Sequence, residues 1–313
     1  MAGGSFLDSD LTAVNQMVKA LWMQNFNTAQ DNLPYQLLTT DLGQSKAKVR
    51  ALDWLGEVPQ MATMSGTIQT GGIRRYDHTL THVEYGMRLK VRISDLATDQ
   101  LNQLPSRIAG LARKAASHPG QLAFAQIESN PTGYDGAAYF ANSHTFGSAA
   151  NADNLAAGTG VTSAAIETDI ATVRSTMMRF QDDTGQAMEI APDTFVIPPE
   201  LSLAFAKVLG VVREAGSFDN TVGVTPPGQG NVWKAGGYTV IERTLSDVNN
   251  WYAFHTAGEV KPFLYSWVTA PRVMNTPSFN DASATNHAYL EYVVYGEYAV
   301  GVSLPQYGIC VVN

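Results

Sequence analysis

The 313-residue sequence holds a single cysteine, Cys310. That excludes an internal disulfide framework and leaves no thiol cluster for zinc or for iron and sulfur. A reducing compartment is expected. No window reaches the ~18 uninterrupted apolar residues that would span a bilayer. The opening MAGGSFLDSD has no basic region leading into an apolar core. The expectation is a cytosolic chain with no membrane partner. Charge is scarce as well: Asp, Glu, Lys and Arg make up 15% of the residues, against ~25% in an ordinary soluble domain. Much of the surface must then be uncharged polar, glycine or apolar, as a surface destined for contact is. Catalytic signatures are missing too. There is no G-x-x-x-x-G-K-S/T phosphate loop, no G-x-S-x-G elbow and no H-E-x-x-H. The glycine-rich PPGQGNVWKAGG at 226–237 lacks the third glycine and the preceding strand of a dinucleotide fingerprint. Cys310 sits in an apolar strand, so nucleophilic catalysis has no candidate.

What is present is core material and turn chemistry. Hydrophobic residues are 45% and aromatics 10%, enough for about two packed units at this length. Twenty-seven glycines, 14 prolines and 13 tyrosines point to many turns and much strand, hence mixed structure. The net charge of −8 is unevenly spread. Residues 46–92 carry eight basic against four acidic side chains, a net +4, whereas residues 135–313 carry eight against seventeen, a net −9. Scattered solvated charge is the plain reading, since exposed pairs contribute only about 0 to 1 kcal/mol each. The sharper one is a basic projection that docks on an acidic neighbour.

The pattern orders the elements. Leu11, Val14, Val18, Leu21 and Phe26 fall on one helical face behind Asp10, a good N-cap type. Between Thr39 and Thr81 periodicity fades and glycines recur, so MSGTIQTGGIRRYDHT reads as the tip of a protruding hairpin. Val83, Tyr85, Met87, Leu89, Val91 and Ile93 then alternate with largely charged residues, which predicts a long half-buried strand serving as the hairpin's return leg. From Asp95, apolar residues at helical spacing around Pro105 predict one long helix, kinked or broken at Pro119. A small-residue loop, GYDGAAYFANSH, follows, and the run to Gly160 reads as flexible surface. Ile166, Ile170, Val173, Met177 and Phe180 make a helical stripe, better explained by a core than by a cofactor box. TFVIPPELSLAFAKVLG predicts strand, turn and a helix to Gly210, and GYTVIE, WYAFH, PFLYSWV and HAYLEYVVYGEYAVGV predict strands without intervening helices. The fold class is therefore α+β.

Candidate sites are few. His78 and His82 would share a strand face about 13 Å apart, too far for one ion, so polar surface is the better account. Asp182 and Asp183 could be an acid and base pair, but adjacent residues diverge and a solvated turn explains them. Arg74 and Arg75 lack the basic stripe and interleaved aromatics of a nucleic-acid surface, which favours a subunit contact.

The order of elements, carried by NQMVKALWMQNFNTA, RYDHTLTHVEYGMRLKVRISDLATDQ, YDGAAYFANSH, DIATVRSTMMRFQDDTGQ, PDTFVIPPELSLAFAKVLG and YGEYAVGVSLPQYGI, resembles the Mu-like phage major head subunit family with the Hong Kong 97-type capsid fold. The resemblance implies an N-terminal arm (1–45), an extended loop built as a long β-hairpin (46–95) and a peripheral domain with a spine helix (96–160). An axial domain (161–262) and closing strands of the peripheral domain (263–313) complete it. It implies a non-catalytic major capsid protein that self-assembles through hexamers and pentamers into an icosahedral head enclosing double-stranded DNA, found in the virion and assembled in the host cytoplasm. No cofactor and no metal are expected. Asp135, Gly136, Phe140 and His144 become a structural loop, and Arg74, Arg75, Tyr76, Arg88, Lys90 and Arg92 become inter-subunit contacts. Its partners would be itself, a separate scaffolding protein, a portal, a decoration protein, and DNA confined without sequence-specific binding. The alternatives are an encapsulin-like nanocompartment shell and an α+β enzyme assembled from His144, Asp135 and Asp182. One branch of the fold bonds a lysine of the extended loop covalently to a neighbour's asparagine, but no lysine occurs from Val49 to Leu89. Particles boiled in detergent should therefore run near the 33.7 kDa chain mass; a ladder of multimers on the gel would contradict this.

Overall fold

The computed structural model describes residues 8–30, 33–55, 75–94, 103–145, 153–182, 185–209, 237–274, 278 and 280–313. Helix α1 (Asp8–Gln30) buries Leu11, Val18, Trp22 and Phe26 on one face, with Trp22 stacked on Phe26 at 5.5 Å between ring centroids. Helix α3 (Gln103–Ser129) receives it with Leu104, Ile108, Ala112, Ala115 and Ala116, small residues that let the two helices approach closely. Of the expected kink or break at Pro119, the break does not occur: α3 runs through it as the one long helix expected. Proline denies the Ala115 carbonyl its i+4 donor, but buried Ala115 and Ala116 before it and Ala123, Phe124 and Ile127 after it hold the helix to its neighbours. Short helix α2 (Tyr35–Leu38) packs beside Gly120, where an added Cβ would lie 2.6 Å from the Tyr35 ring.

Two sheets carry the rest. The first runs β1 (Thr39–Gln44), β9 (Phe263–Val273), β10 (Tyr289–Val302), β4 (Val83–Arg92), with β1 parallel to β9 and the others antiparallel. Its inner face, alternating along β10 as Leu290, Tyr292, Val294 and Tyr298, covers α3 and α1. Helix α6 (Ala282–His287) precedes β10. The second sheet runs β5 (Leu155–Ala157), β11 (Gly308–Val312), β8 (Trp251–Phe254), β6 (Thr194–Ile197), β7 (Thr239–Glu242). On it packs α4 (Ser163–Met177), whose predicted stripe is buried throughout, together with α5 (Ser202–Val208). Thr162 caps α4 by accepting from the Ala165 N–H at 3.3 Å.

Three sequence expectations are corrected. The alternating strand is not the hairpin's return leg: β2 (Val49–Leu55) pairs with β3 (Arg75–Thr81), whereas β4 pairs with β10 across its whole length. Alternation fixes which face is buried but is blind to the neighbour. The final strand leaves the first sheet, because β11 pairs with β8 and β5 in the second. Nor is the run before Gly160 loose surface along its described part, since Asn154 is buried and β5 joins a sheet.

A shared aromatic core welds the sheets. Phe263 of β9, fully buried, lies 5.6 Å from Phe254 of β8 and 5.9 Å from Tyr139 between ring centroids. Phe263→Ala removes the ring common to both sheets and should lower subunit stability by about 3–5 kcal/mol in denaturant unfolding; a loss under about 1 kcal/mol would show that the sheets do not depend on this joint.

Candidate functional site: a buried histidine loop and the assembly surfaces

The loop after α3 is built by its own polar groups. Asn130, at φ 45°, donates from Nδ2 to the Phe140 carbonyl at 3.0 Å and accepts the Phe140 N–H on Oδ1 at 2.7 Å, closing a ten-residue turn. Asp135 accepts the Ala137 N–H on Oδ1, and Gly136 at φ +84° turns the chain where a side chain would be strained. The other oxygen, Oδ2, lies 2.6 Å from His144 Nδ1, and His144 Nε2 lies 3.1 Å from the Tyr139 carbonyl. His144 is fully buried, and both ring nitrogens already face acceptors. No ring nitrogen is left to act as a general base toward a substrate. Phe140 packs edge-on to Tyr139 at 4.9 Å and lies 5.3 Å from Tyr252. The four residues singled out from the sequence thus form one loop, and its geometry is architectural.

Sequence reasoning missed Asn154. It donates from Nδ2 to the carbonyls of Tyr139 and Pro305 at 2.7 and 3.0 Å, and its Oδ1 accepts the Ala141 N–H at 2.8 Å. An asparagine inside a Gly/Ala/Asn run carries no signal of this. Tyr139 itself donates toward the Pro262 and Leu304 carbonyls at 3.3 and 3.4 Å, and burial pushes its phenol far above its ordinary value, so it stays a donor.

His78 and His82 part company. His82 is not polar surface but fully buried at the break between β3 and β4, with Nδ1 2.9 Å from the Lys48 carbonyl and Nε2 3.1 Å from Ser266 Oγ. Sharing a face was inferred from one continuous strand, and the break removes that premise. Arg50 adds donors to Ser266 Oγ and the Gly43 carbonyl at 3.1 and 3.2 Å. Leu80, Leu264 and Ala299 seal the same place. This network roots the hairpin on the outer face of the first sheet. Asp182 caps a turn by accepting the Gln186 N–H, while Asp183 lies outside the described residues.

The basic candidates do not converge. Arg74 and residues 226–236 lie outside the described residues, and Arg75 and Tyr76 sit in β3 opposite Leu55 and Trp54. Arg88, Lys90 and Arg92 line the outer face of β4 and engage β10: Arg88 and Lys90 share Glu291 at 3.1 and 3.3 Å, and Arg92 donates to the Tyr289 hydroxyl at 3.1 Å. Among the described residues no group of three or more His, Cys, Asp or Glu is arranged to hold a metal, and no helix is long and apolar enough to cross a membrane.

The profile of the family described as phage capsid protein matches residues 79–311. The chain belongs to that family. Among solved structures it resembles the procapsid subunit of bacteriophage JBD30, at 16% identity and TM-score 0.55 over 96% of this chain and 75% of that one. It spans 64% of the subunit in the JBD30 capsid. The capsid subunit of cyanophage P-SCSP1u matches at 14% identity and TM-score 0.55, over 90% of this chain and 88% of that one. The virus-like particle from Pyrococcus furiosus matches at 10% identity and TM-score 0.55, over 95% and 98%. No curated protein sequence matches the chain. The fold of this capsid protein is the Hong Kong 97 type, and its role is structural, in a phage virion, not enzymatic.

The Asp135 and His144 pair yields an acid-dependence. Burial is the largest influence on Asp135 and raises its carboxyl, but the hydrogen bond and charge of His144, with the Ala137 N–H, outweigh it and hold the group below its ordinary 3.8. A depressed carboxylate contributes stability that is present above the unfolded-state value and is lost as pH falls through the folded one. Asp135→Asn should therefore be less stable than the parent at pH 7, with the gap closing below about pH 4. A gap that stays constant with pH would refute the ionic contribution.

Proposed function

We propose that this capsid protein is a Mu-like major head subunit that assembles through hexamers and pentamers into an icosahedral head around double-stranded DNA. In that reading α1 is the arm, β2 and β3 the extended loop, α3 the spine helix, the first sheet the peripheral domain and the second sheet with α4 and α5 the axial domain. The hairpin is the observation that carries it. Among the described residues its strands form a sheet of their own and pair with each other alone, while its root is fixed by His82, Arg50 and Ser266. A rigidly rooted projection whose sequence includes Arg74 and Arg75, on a body whose residues 135–313 are −9, fits a heterologous contact that repeats around a ring and closes into a shell. A scaffolding protein, a portal and a decoration protein are the proposed partners. With a pI near 5.2 the subunit does not neutralise phosphate, so DNA is confined rather than bound.

A second reading, an encapsulin-like compartment, is favoured by one observation: the chain covers 98% of the Pyrococcus furiosus particle subunit. Electron microscopy after size exclusion separates the cases. Uniform icosahedral shells carrying DNA support the head, shells filled with protein cargo support the compartment, and a small oligomer that never forms shells with neighbouring head proteins co-expressed removes both. Charge reversal at Arg74 and Arg75 should cut shell yield while circular dichroism stays unchanged; normal assembly would reject the hairpin contact.

A further inference from the structure

Among the described residues, the first sheet ends in a long unpaired edge. Strand β4 is ten residues long, contains no proline, and keeps a continuous register with β10 from Val83 to Arg92. The Ile93 N–H donates to the Ala288 carbonyl at 3.1 Å, one step beyond that register. In an antiparallel ladder bonding alternates residue by residue. The odd residues of β4 therefore bond to β10, and the N–H and C=O groups of Glu84, Gly86, Arg88 and Lys90 point out of the sheet edge. None of these four has a backbone partner on that side among the described residues.

The side chains of the same residues are polarised along the edge. Arg88 and Lys90 divide one carboxylate, Glu291, between two cations. Six residues back, Glu84 stands directly opposite Glu297 of β10, a like-charge pair that costs stability where it stands. Tyr295, flanked by both glutamates, is pushed upward by burial and then by their charges, with Arg272 opposing from the β9 side. One end of the edge thus has a cation in excess and the other an anion.

We infer that β4 is a two-fold pairing edge whose occupant is β4 of a second copy of this chain, running antiparallel about Met87. This rests on the shell reading above and names one of its contacts. In that register Glu84 faces the second copy's Lys90 and Gly86 faces the second copy's Arg88, each twice by symmetry. Every outward backbone group meets a complement, both glutamates at position 84 gain a cation, and each arginine lies against a glycine, not another arginine. Pairing about Arg88 instead would oppose two arginines. Charged residues also guard lone edges against indiscriminate pairing; here their order selects one antiparallel register.

The test uses the full-length chain co-expressed with its neighbouring head proteins, with particle yield read by sedimentation and electron microscopy. Gly86→Pro removes one outward N–H that β10 does not use, a position where an edge strand tolerates proline. Gly86→Ala is the control, because the added Cβ meets only the Val294 carbonyl at an ordinary 3.6 Å. Shell yield should fall about tenfold or more for Gly86→Pro and stay near the parent's for Gly86→Ala, since a contact repeated around a shell is amplified by multivalency. If the proline variant fails to fold by circular dichroism, the charge exchange decides: Lys90→Glu and Glu84→Lys each reduce shells, and the double exchange restores them. Normal shells from Gly86→Pro, equal loss from Gly86→Ala, or no rescue by the double exchange overturns the edge pairing while parental shells persist. Absence of shells from the parent overturns the shell reading and this contact together.

Discussion

The structure hangs on one tyrosine between two sheets. Tyr139 sits at zero exposure with its ring against Phe140 and Phe263, its hydroxyl aimed at two carbonyls and its own carbonyl receiving Asn154 and facing His144. Those two carbonyls, Pro262 and Leu304, bracket the chain where it enters β9 and where it leaves β10. One side chain therefore fixes the entry and exit of the first sheet against a loop whose partner, Asn154, is bonded to β11 of the second through the Cys310 N–H. A buried polar network of this kind is favourable only when fully satisfied. Here the contacts of Tyr139, His144, Asp135 and Asn154 satisfy it, which explains why a histidine and a carboxylate occur in a protein that performs no chemistry with them.

In the shell reading proposed above, a rigid joint matters because the hairpin would reach away from the body. Among the described residues its anchorage is the root, where His82 is held from two sides and Leu80 is inserted against Gly301, a position where an added Cβ would collide with the Leu80 side chain. An arm on a fixed root presents its contacts in one direction. On a loose root, the ordering entropy of each arm would fall due at every contact made.

Legibility in the sequence followed locality. The Ile166 to Phe180 stripe, the α1 face and the alternation of β4 were readable because each is a period within one element. The partner of β4 was not, because pairing is a property of two segments some two hundred residues apart. His82 misled for a related reason: strand parity carries side chains to predictable faces only while the strand is unbroken, and the break at His82 turned an apparent surface residue inward. Asn154 and the crossing of β11 to the second sheet left no compositional trace. The fold class was visible from element order, the nearness of Asp135, Gly136, Phe140 and His144 from their spacing in one short loop, and their hydrogen-bonding roles only from the folded structure.

The charge poverty of the chain then takes on a physical meaning. An edge pairing about Met87 would form about eight backbone hydrogen bonds, two for each narrow pair. At about 0.5–1.5 kcal/mol net apiece they would supply roughly 4–12 kcal/mol. Losing translational and rotational freedom on association costs about 4–15 kcal/mol. The two sums nearly cancel, so two isolated subunits gain little by meeting. Once other contacts in a ring have already immobilised the copies, the same hydrogen bonds arrive without that entropic cost and count almost in full. A surface of polar, neutral and weakly paired groups is thus suited to association that is negligible pairwise and decisive collectively, which a closed shell requires and a strongly charged or strongly hydrophobic edge would defeat by pairing too early.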